Sequence, residues 1–178
     1  MATLFSKGKD RLLESILDNP SRTPRVRELA RLLKLSPAHI SRTLKALDAY
    51  GIIEKGEVDL SNPYVRALKI FLNTKKLVDK DVAKLLRRLE PIGVGLYGSW
   101  FNGTNDEESD LDIWVRVEVH PGEARVVSVS NDVRKIMGRG VQILVLTPER
   151  IDRMKKEDPI FYYSLVFGSM TLCGEPIE

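Results

Sequence analysis

Apolar residues recur along this chain in two different periods, and the change falls near Pro91. Before it the spacing is helical. Asp10 to Leu17 places Leu12, Leu13, Ile16 and Leu17 on one face, and Asp18-Asn19-Pro20 ends that helix. After Pro24, the positions Val26, Leu29, Ala30 and Leu33 predict a second short helix, with Lys34-Leu35 as a turn. Ser36-Pro37 then supplies an N-cap and a proline at the first helical position. The third helix buries Ile40, Leu44 and Leu47, and Gly51 is placed to end it. Ile52 to Leu60 reads as two short strands around a Lys55-Gly56 turn. Pro63 to Leu72 and Leu77 to Leu89 predict two further helices, broken around Asn73-Thr74. Both carry wide apolar stripes. They are expected to bridge two domains and to offer a surface on which two copies pair as a homodimer.

Beyond Pro91 the runs become strand-like. Ile92 to Tyr97 is a short apolar run with glycines, and Trp100-Phe101 is expected to start a brief helix. Asp110 to Val119 alternates with period two. Glu123 to Met137 is helical in period despite the β-branched Val126 to Val129, and Gly138-Arg139-Gly140 ends it. Val141 to Leu146 is a third strand. Thr147-Pro148 caps another helix, Tyr162 to Phe167 is a further one, and Met170 to Cys173 is a last strand.

The chain has 178 residues, 43% of them hydrophobic and 30% charged, the profile of a globular protein. No apolar run approaches the roughly 18 residues a bilayer span needs, so no membrane is expected. The first residues lack a basic segment followed by an apolar core, which predicts a cytoplasmic location. A single cysteine, Cys173, excludes an internal disulfide framework and a cysteine-built zinc cluster. Charge is uneven. Residues 1–90 hold 19 Lys+Arg against 11 Asp+Glu, and residues 91–178 hold 9 against 14. A basic half of +8 points to nucleic acid, and an acidic half of −5 points to bound cations.

The chemistry concentrates at Leu96-Tyr97-Gly98-Ser99-Trp100 and, with ten residues between Ser99 and Asp110, at Asp110-Leu111-Asp112. Alternate residues of a strand share a face, so Asp110 and Asp112 converge while Leu111 and Ile113 turn to the core. Two carboxylates beside a turn with free backbone N–H groups suit a divalent metal and a phosphate. The plainer reading is a pair of solvated carboxylates flanking a turn. Such a pair on an apolar strand repels itself without a cation.

This pattern resembles the minimal nucleotidyltransferase domain of the DNA polymerase beta superfamily, over about residues 89–178. Residues 9–60 resemble a winged helix-turn-helix. The fold implied is α+β: a winged domain over 1–62, a helical linker over 63–90, and a nucleotidyltransferase domain over 91–178 with a mixed sheet flanked by helices. The resemblance implies that Gly98 and Ser99 hold a nucleoside triphosphate and that Asp110 and Asp112 hold Mg²⁺ or Mn²⁺ and are catalytic. It also implies that the third helix enters the major groove of DNA. Its outward residues are then Ala38, His39, Ser41, Arg42 and Lys45, with Arg42 suited to guanine or phosphate. DNA, or RNA, is the expected partner; the alternative is a protein-only interaction domain.

Two positions depart from the family. Its third carboxylate falls here on Gln142, the single glutamine of the chain, and a neutral amide is no proton acceptor. Glu118 lies about 20 Å along the strand from Asp112, and Asp106, Glu107 and Glu108 sit in a loop and read as solvated. Asn102 stands where arginine often precedes the glycine. Three functions follow: a Mg²⁺-dependent nucleotidyltransferase placed on nucleic acid; a DNA-binding regulator whose transferase-like domain is inactive or senses nucleotide; and an antitoxin-type protein, since minimal family members often pair with a separate helical protein.

Overall fold

The computed structural model describes residues 7–21, 25–54 and 56–178. Met1 to Ser6, Pro24 and the turn residue Lys55 lie outside them. The chain divides into two compact units, Met1–Lys69 and Ile70–Glu178.

The first unit carries α1 (Lys7–Leu17), α2 (Val26–Leu33), α3 (Pro37–Ala49) and a small hairpin of β1 (Ile53–Glu54) and β2 (Glu57–Val58). Its helices form because each has one apolar stripe. Leu12, Ile16, Leu29 and Ile40 are fully buried. Burying each is worth roughly 1.5–3 kcal/mol. The Ser36 hydroxyl accepts from the His39 N–H at 3.2 Å, so α3 begins at the predicted cap. Lys34 between α2 and α3, and Gly51 after α3, take left-handed φ values of 56° and 66°. The buried Lys69 donates from Nζ to the Leu17 carbonyl at 2.5 Å, satisfying an orphan acceptor at the end of α1.

The predicted break at Asn73-Thr74 does not occur. One helix, α4, runs from Pro63 to Asp79. Asparagine and threonine disfavour helix interiors because their side chains compete for the backbone. Here both are occupied. Thr74 Oγ1 donates to the Ile70 carbonyl at 2.9 Å. Asn73 Nδ2, buried, donates to the Trp100 carbonyl at 2.9 Å and to Asn105 Oδ1 at 2.8 Å. For Asn73 tertiary partners override propensity, and Thr74 bonds back one turn within its own helix; the chain turns later, at Asp81, which is left-handed.

The second unit continues with α5 (Val82–Leu86) and a 3-10 turn at Arg87–Leu89. Then come β3 (Gly93–Tyr97), α6 (Gly98–Asn102), β4 (Leu111–Arg116), α7 (Glu123–Met137), β5 (Val141–Leu146), α8 (Pro148–Glu157), α9 (Pro159–Phe167) and β6 (Ser169–Gly174). The sheet is mixed, in the order β5-β4-β3-β6. β4 and β5 run parallel and the other pairs antiparallel.

Strand alternation decides both faces. Leu111, Ile113 and Val115 pack with Val94 and Leu96 against Val126, Val129 and Val133 of α7. That buried stripe is why the β-branched run stays helical. Trp114, on the other face, packs with Leu146, Ile151, Tyr162 and Leu165, beneath α8 and α9. Asp112 shares strand parity with Trp114 and so belongs to this second face. β4 is shorter than the predicted alternation: it ends at Arg116, and the Val117 N–H makes a further bond to β5, to the Leu146 carbonyl at 2.9 Å. No helix among the described residues is long and apolar enough to cross a membrane.

Candidate active site

The site is built where β3 ends beside β4 and β5. Asp112 lies across from Tyr97 on one side and from Gln142 on the other. Gly98 follows Tyr97 directly, opens α6, and has φ of +67°. A Cβ on Gly98 would stand 2.4 Å from Asp112 Oδ2. The glycine therefore brings backbone against the carboxylate, in a conformation that L side chains avoid. Ser99 is half-buried in α6, and its carbonyl accepts from the Thr104 N–H at 3.0 Å.

Asp110 is exposed, just before β4, and the Leu111 N–H donates to the Gly140 carbonyl at 2.9 Å. A Cβ on Gly140 would stand 1.8 Å from Asp110 Oδ1. Each aspartate is thus seated against its own glycine. Gln142 joins them: its Nε2 donates to Asp110 Oδ2 at 3.0 Å. The amide faces the carboxylates, as strand parity predicts.

The electrostatics follow. Burial, and then the neighbouring Asp110 charge, push the Asp112 carboxyl above its ordinary value. Burial, and then Asp112, raise the Tyr97 phenol, while Arg150 acts in the opposite sense. Two converging oxygen donors of like charge fit a hard divalent cation such as Mg²⁺ or Mn²⁺. Among the described residues no group of three or more His, Cys, Asp or Glu side chains stands ready for a metal, so such a cation needs oxygen ligands from a bound molecule as well.

The loop acids serve the loop. Asp106 Oδ1 accepts from Ser109 Oγ at 2.6 Å and from the Glu108 N–H at 3.1 Å. The Ser109 hydrogen bond leads the causes that hold the Asp106 carboxyl below its ordinary value. Ser109 closes the loop rather than entering the site. Glu118 is exposed, beyond the end of β4.

The other candidates lie in the first unit, on α3. Ala38, Arg42 and Lys45 are exposed, and Ser41 is half-buried. Arg42 Nε donates back to the Ala38 carbonyl at 3.4 Å. His39 is half-buried, and its Nε2 is buried without a partner.

Sequence reasoning missed Gly140 and Tyr97. Gly138 alone suffices to end α7 as its left-handed cap. The unneeded second glycine was the available signal for a close backbone approach. Tyr97 was read only as a strand residue.

No curated protein matches the chain. Solved structures resemble it, two of them as follows. One is described as "Crystal structure of the toxin-antitoxin with AMP-PNP", at 20% identity over 58% of this chain and 74% of that one, with a TM-score of 0.43. The other is a tri-AMPylated Shewanella oneidensis HEPN toxin in complex with MNT antitoxin, at 18% identity over 60% and 73%, with a TM-score of 0.40. Residues 79–166 match the family described as Nucleotidyltransferase domain. That stretch holds Gly98, Ser99, Asp110, Asp112 and Gln142, and it is a nucleotidyltransferase domain.

Proposed function

We propose that this site binds a nucleoside triphosphate with Mg²⁺ or Mn²⁺ and transfers its nucleoside monophosphate to an acceptor hydroxyl. The convergence of Asp110 and Asp112 beside Gly98 carries the reading. Asp110 and Asp112 would hold the cation, which when bound offsets their charge and that of the phosphate oxygens. Gly98 and Ser99 receive the phosphates, because a backbone without a Cβ lets them approach. In the transfer, an acceptor oxygen bonds to the α-phosphorus and the bond to the bridging oxygen breaks. Pyrophosphate leaves, and the acceptor proton goes to water. Gln142 has no capacity to take that proton, so the reaction is slow without a better base.

A second reading has its own observation. The Gln142 amide on Asp110 replaces a proton acceptor with a donor. A domain so altered suits a nucleotide-binding regulator, or an antitoxin-type protein that acts on or with a separate helical partner. In either reading the basic first unit brings the protein to DNA, or RNA, as a winged helix whose α3 offers Arg42 and Lys45. The acids Glu54, Glu57 and Asp59 of the hairpin make α3, not the wing, the contacting element.

The test is incubation of the full chain with labelled nucleoside triphosphates, Mg²⁺ or Mn²⁺, nucleic acid and cell extract. Label transfer that Asp110→Asn and Asp112→Asn abolish supports the transferase. Nucleotide binding that both variants lose, with no transfer to any acceptor, supports the regulator. Equal nucleotide binding by parent and variants rejects the site.

A further inference from the structure

Ten residues separate Ser99 from Asp110, and the pairing of Tyr97 with Asp112 fixes only the inner ends of that connection. We propose that Arg139 is a positioning residue that holds the two halves of the motif in one geometry; the proposal rests on the nucleotide reading of this site. Its guanidinium carbon lies 4.7 Å from the ring centroid of Trp100, the residue after Ser99. Its Nη1 donates to two main-chain carbonyls, those of Asp106 and Ser109, at 3.1 Å each. Ser109 immediately precedes Asp110. One planar group therefore touches the helix that carries Ser99, the loop, and the entry to the strand that carries the carboxylates.

The chemistry of these contacts identifies the role. The loop that Arg139 contacts is acidic, with Asp106, Glu107, Glu108 and then Asp110, yet both Nη1 bonds go to carbonyls. A charge placed only to neutralise those acids would meet carboxylates. A guanidinium that stacks on a ring and forks onto carbonyls fixes distance and angle, which the flexible ammonium of lysine does not. Trp100 is fully buried, so the stack stands on a rigid floor. Gly140, next in the chain, seats Asp110 directly. Gly138-Arg139-Gly140 is thus more than a helix stop: it is the back wall of the carboxylate pair.

The experiment compares the full-length parent with Arg139→Lys and Arg139→Gln in two measurements. The first is amide hydrogen exchange without ligand. Both variants should exchange residues 103–111 about tenfold faster or more, while β3 keeps its protection. The second is titration of Mn²⁺ with a non-hydrolysable triphosphate. Both variants should bind about tenfold more weakly or worse, since losing a group that orients metal ligands typically costs about 10–100-fold in metal affinity. Unchanged loop exchange overturns the clamp. So does full recovery of exchange and binding by Arg139→Lys, which would show that charge alone suffices. Faster loop exchange in a parent background that binds no nucleotide leaves the clamp standing and rejects the nucleotide reading instead. If neither variant folds, Trp100→Phe carries the same comparison, because phenylalanine offers a weaker face to the cation.

Discussion

The two units of this protein carry opposite charges, and they hold them in opposite ways. On α3, Arg42 and Lys45 are exposed on long side chains, and Arg42 is tied only to its own helix. Beside β4, Asp110 and Asp112 are short side chains pressed against Gly140 and Gly98, with a Gln142 amide bonded to one of them. The first arrangement leaves each charge solvated, free to follow whatever partner arrives. The second fixes each oxygen by backbone geometry and leaves Asp112 at an electrostatic cost, since burial and Asp110 both disfavour its ionised form. A mobile surface cation suits a phosphate backbone that presents the same charge everywhere. A constrained pair of anions suits one ion and one ligand in one place.

The largest test of this contrast is Gln142→Asp. It adds a third constrained anion to the face that already holds two. Metal binding should tighten. If the acceptor site is intact, label transfer should rise by roughly 10²–10⁴-fold, the usual contribution of a positioned proton acceptor. Tighter metal with no transfer to any acceptor would place the protein among nucleotide-binding regulators. High transfer by the parent, untouched by Gln142→Ala, would show that release of the proton to water is not slow, or that a loop acid takes it, and would undo the assigned defect.

Next in size are the glycines. Gly98→Ala and Gly140→Ala each place a methyl where a carboxylate oxygen now sits. Both should weaken binding of Mn²⁺ and a non-hydrolysable triphosphate by about 10–100-fold, as disturbing the support of metal ligands does. Gly138→Ala is the control. It shares the left-handed backbone of Gly98, which Gly140 does not have, but a Cβ there meets nothing within 4 Å. It should cost roughly 1 kcal/mol of stability and leave binding alone. Equal loss of binding in Gly98→Ala and Gly138→Ala would mean that backbone strain, not the seat of the carboxylate, decides affinity at Gly98.

The same contrast explains what was legible in the sequence. Helices with a single buried stripe were readable because period alone fixes which face is apolar, as in α2 and α7. The orientation of Asp112 and Gln142 was readable too, since strand parity is binary. What escaped was anything fixed by a distant partner. Asn73 looked like a helix breaker because its hydrogen bonds to Trp100 and Asn105 are invisible to propensity. The Gly140 contact with Asp110 joins residues 30 apart. The Arg139 stack on Trp100 joins residues 39 apart, and nothing local announces it.

On the first unit, Arg42→Ala with Lys45→Ala should weaken DNA binding by about tenfold at low salt and lower the salt slope by roughly one unit per lost phosphate contact. Fluorescence anisotropy over a salt series measures both. A double variant with an unchanged slope would show that α3 does not meet phosphates. Binding that falls for one DNA sequence and not for others would instead make Arg42 a reader of bases. In that case α3 would be as constrained in its complex as the strand site is in the free protein.

The smallest effect belongs to a charge pair in the second unit that is built like those of the first. Arg88 Nη1 lies 2.6 Å from Asp132 Oδ2, and both side chains are partly exposed. The Arg88 hydrogen bond, then that of Lys135, hold the Asp132 carboxyl below its ordinary value of 3.8. A carboxyl depressed in the folded state contributes stability that is present above the unfolded value and lost as pH falls through the folded one. Arg88→Ala should therefore lower the melting temperature by no more than a few degrees at neutral pH. The difference should shrink in high salt and vanish in acid, below the folded value. Such a result would show that constraint, and not membership of the acidic unit, separates the site from the surface. A large, salt-insensitive loss would break the comparison, because it would make an exposed pair behave like the carboxylates seated on Gly98 and Gly140.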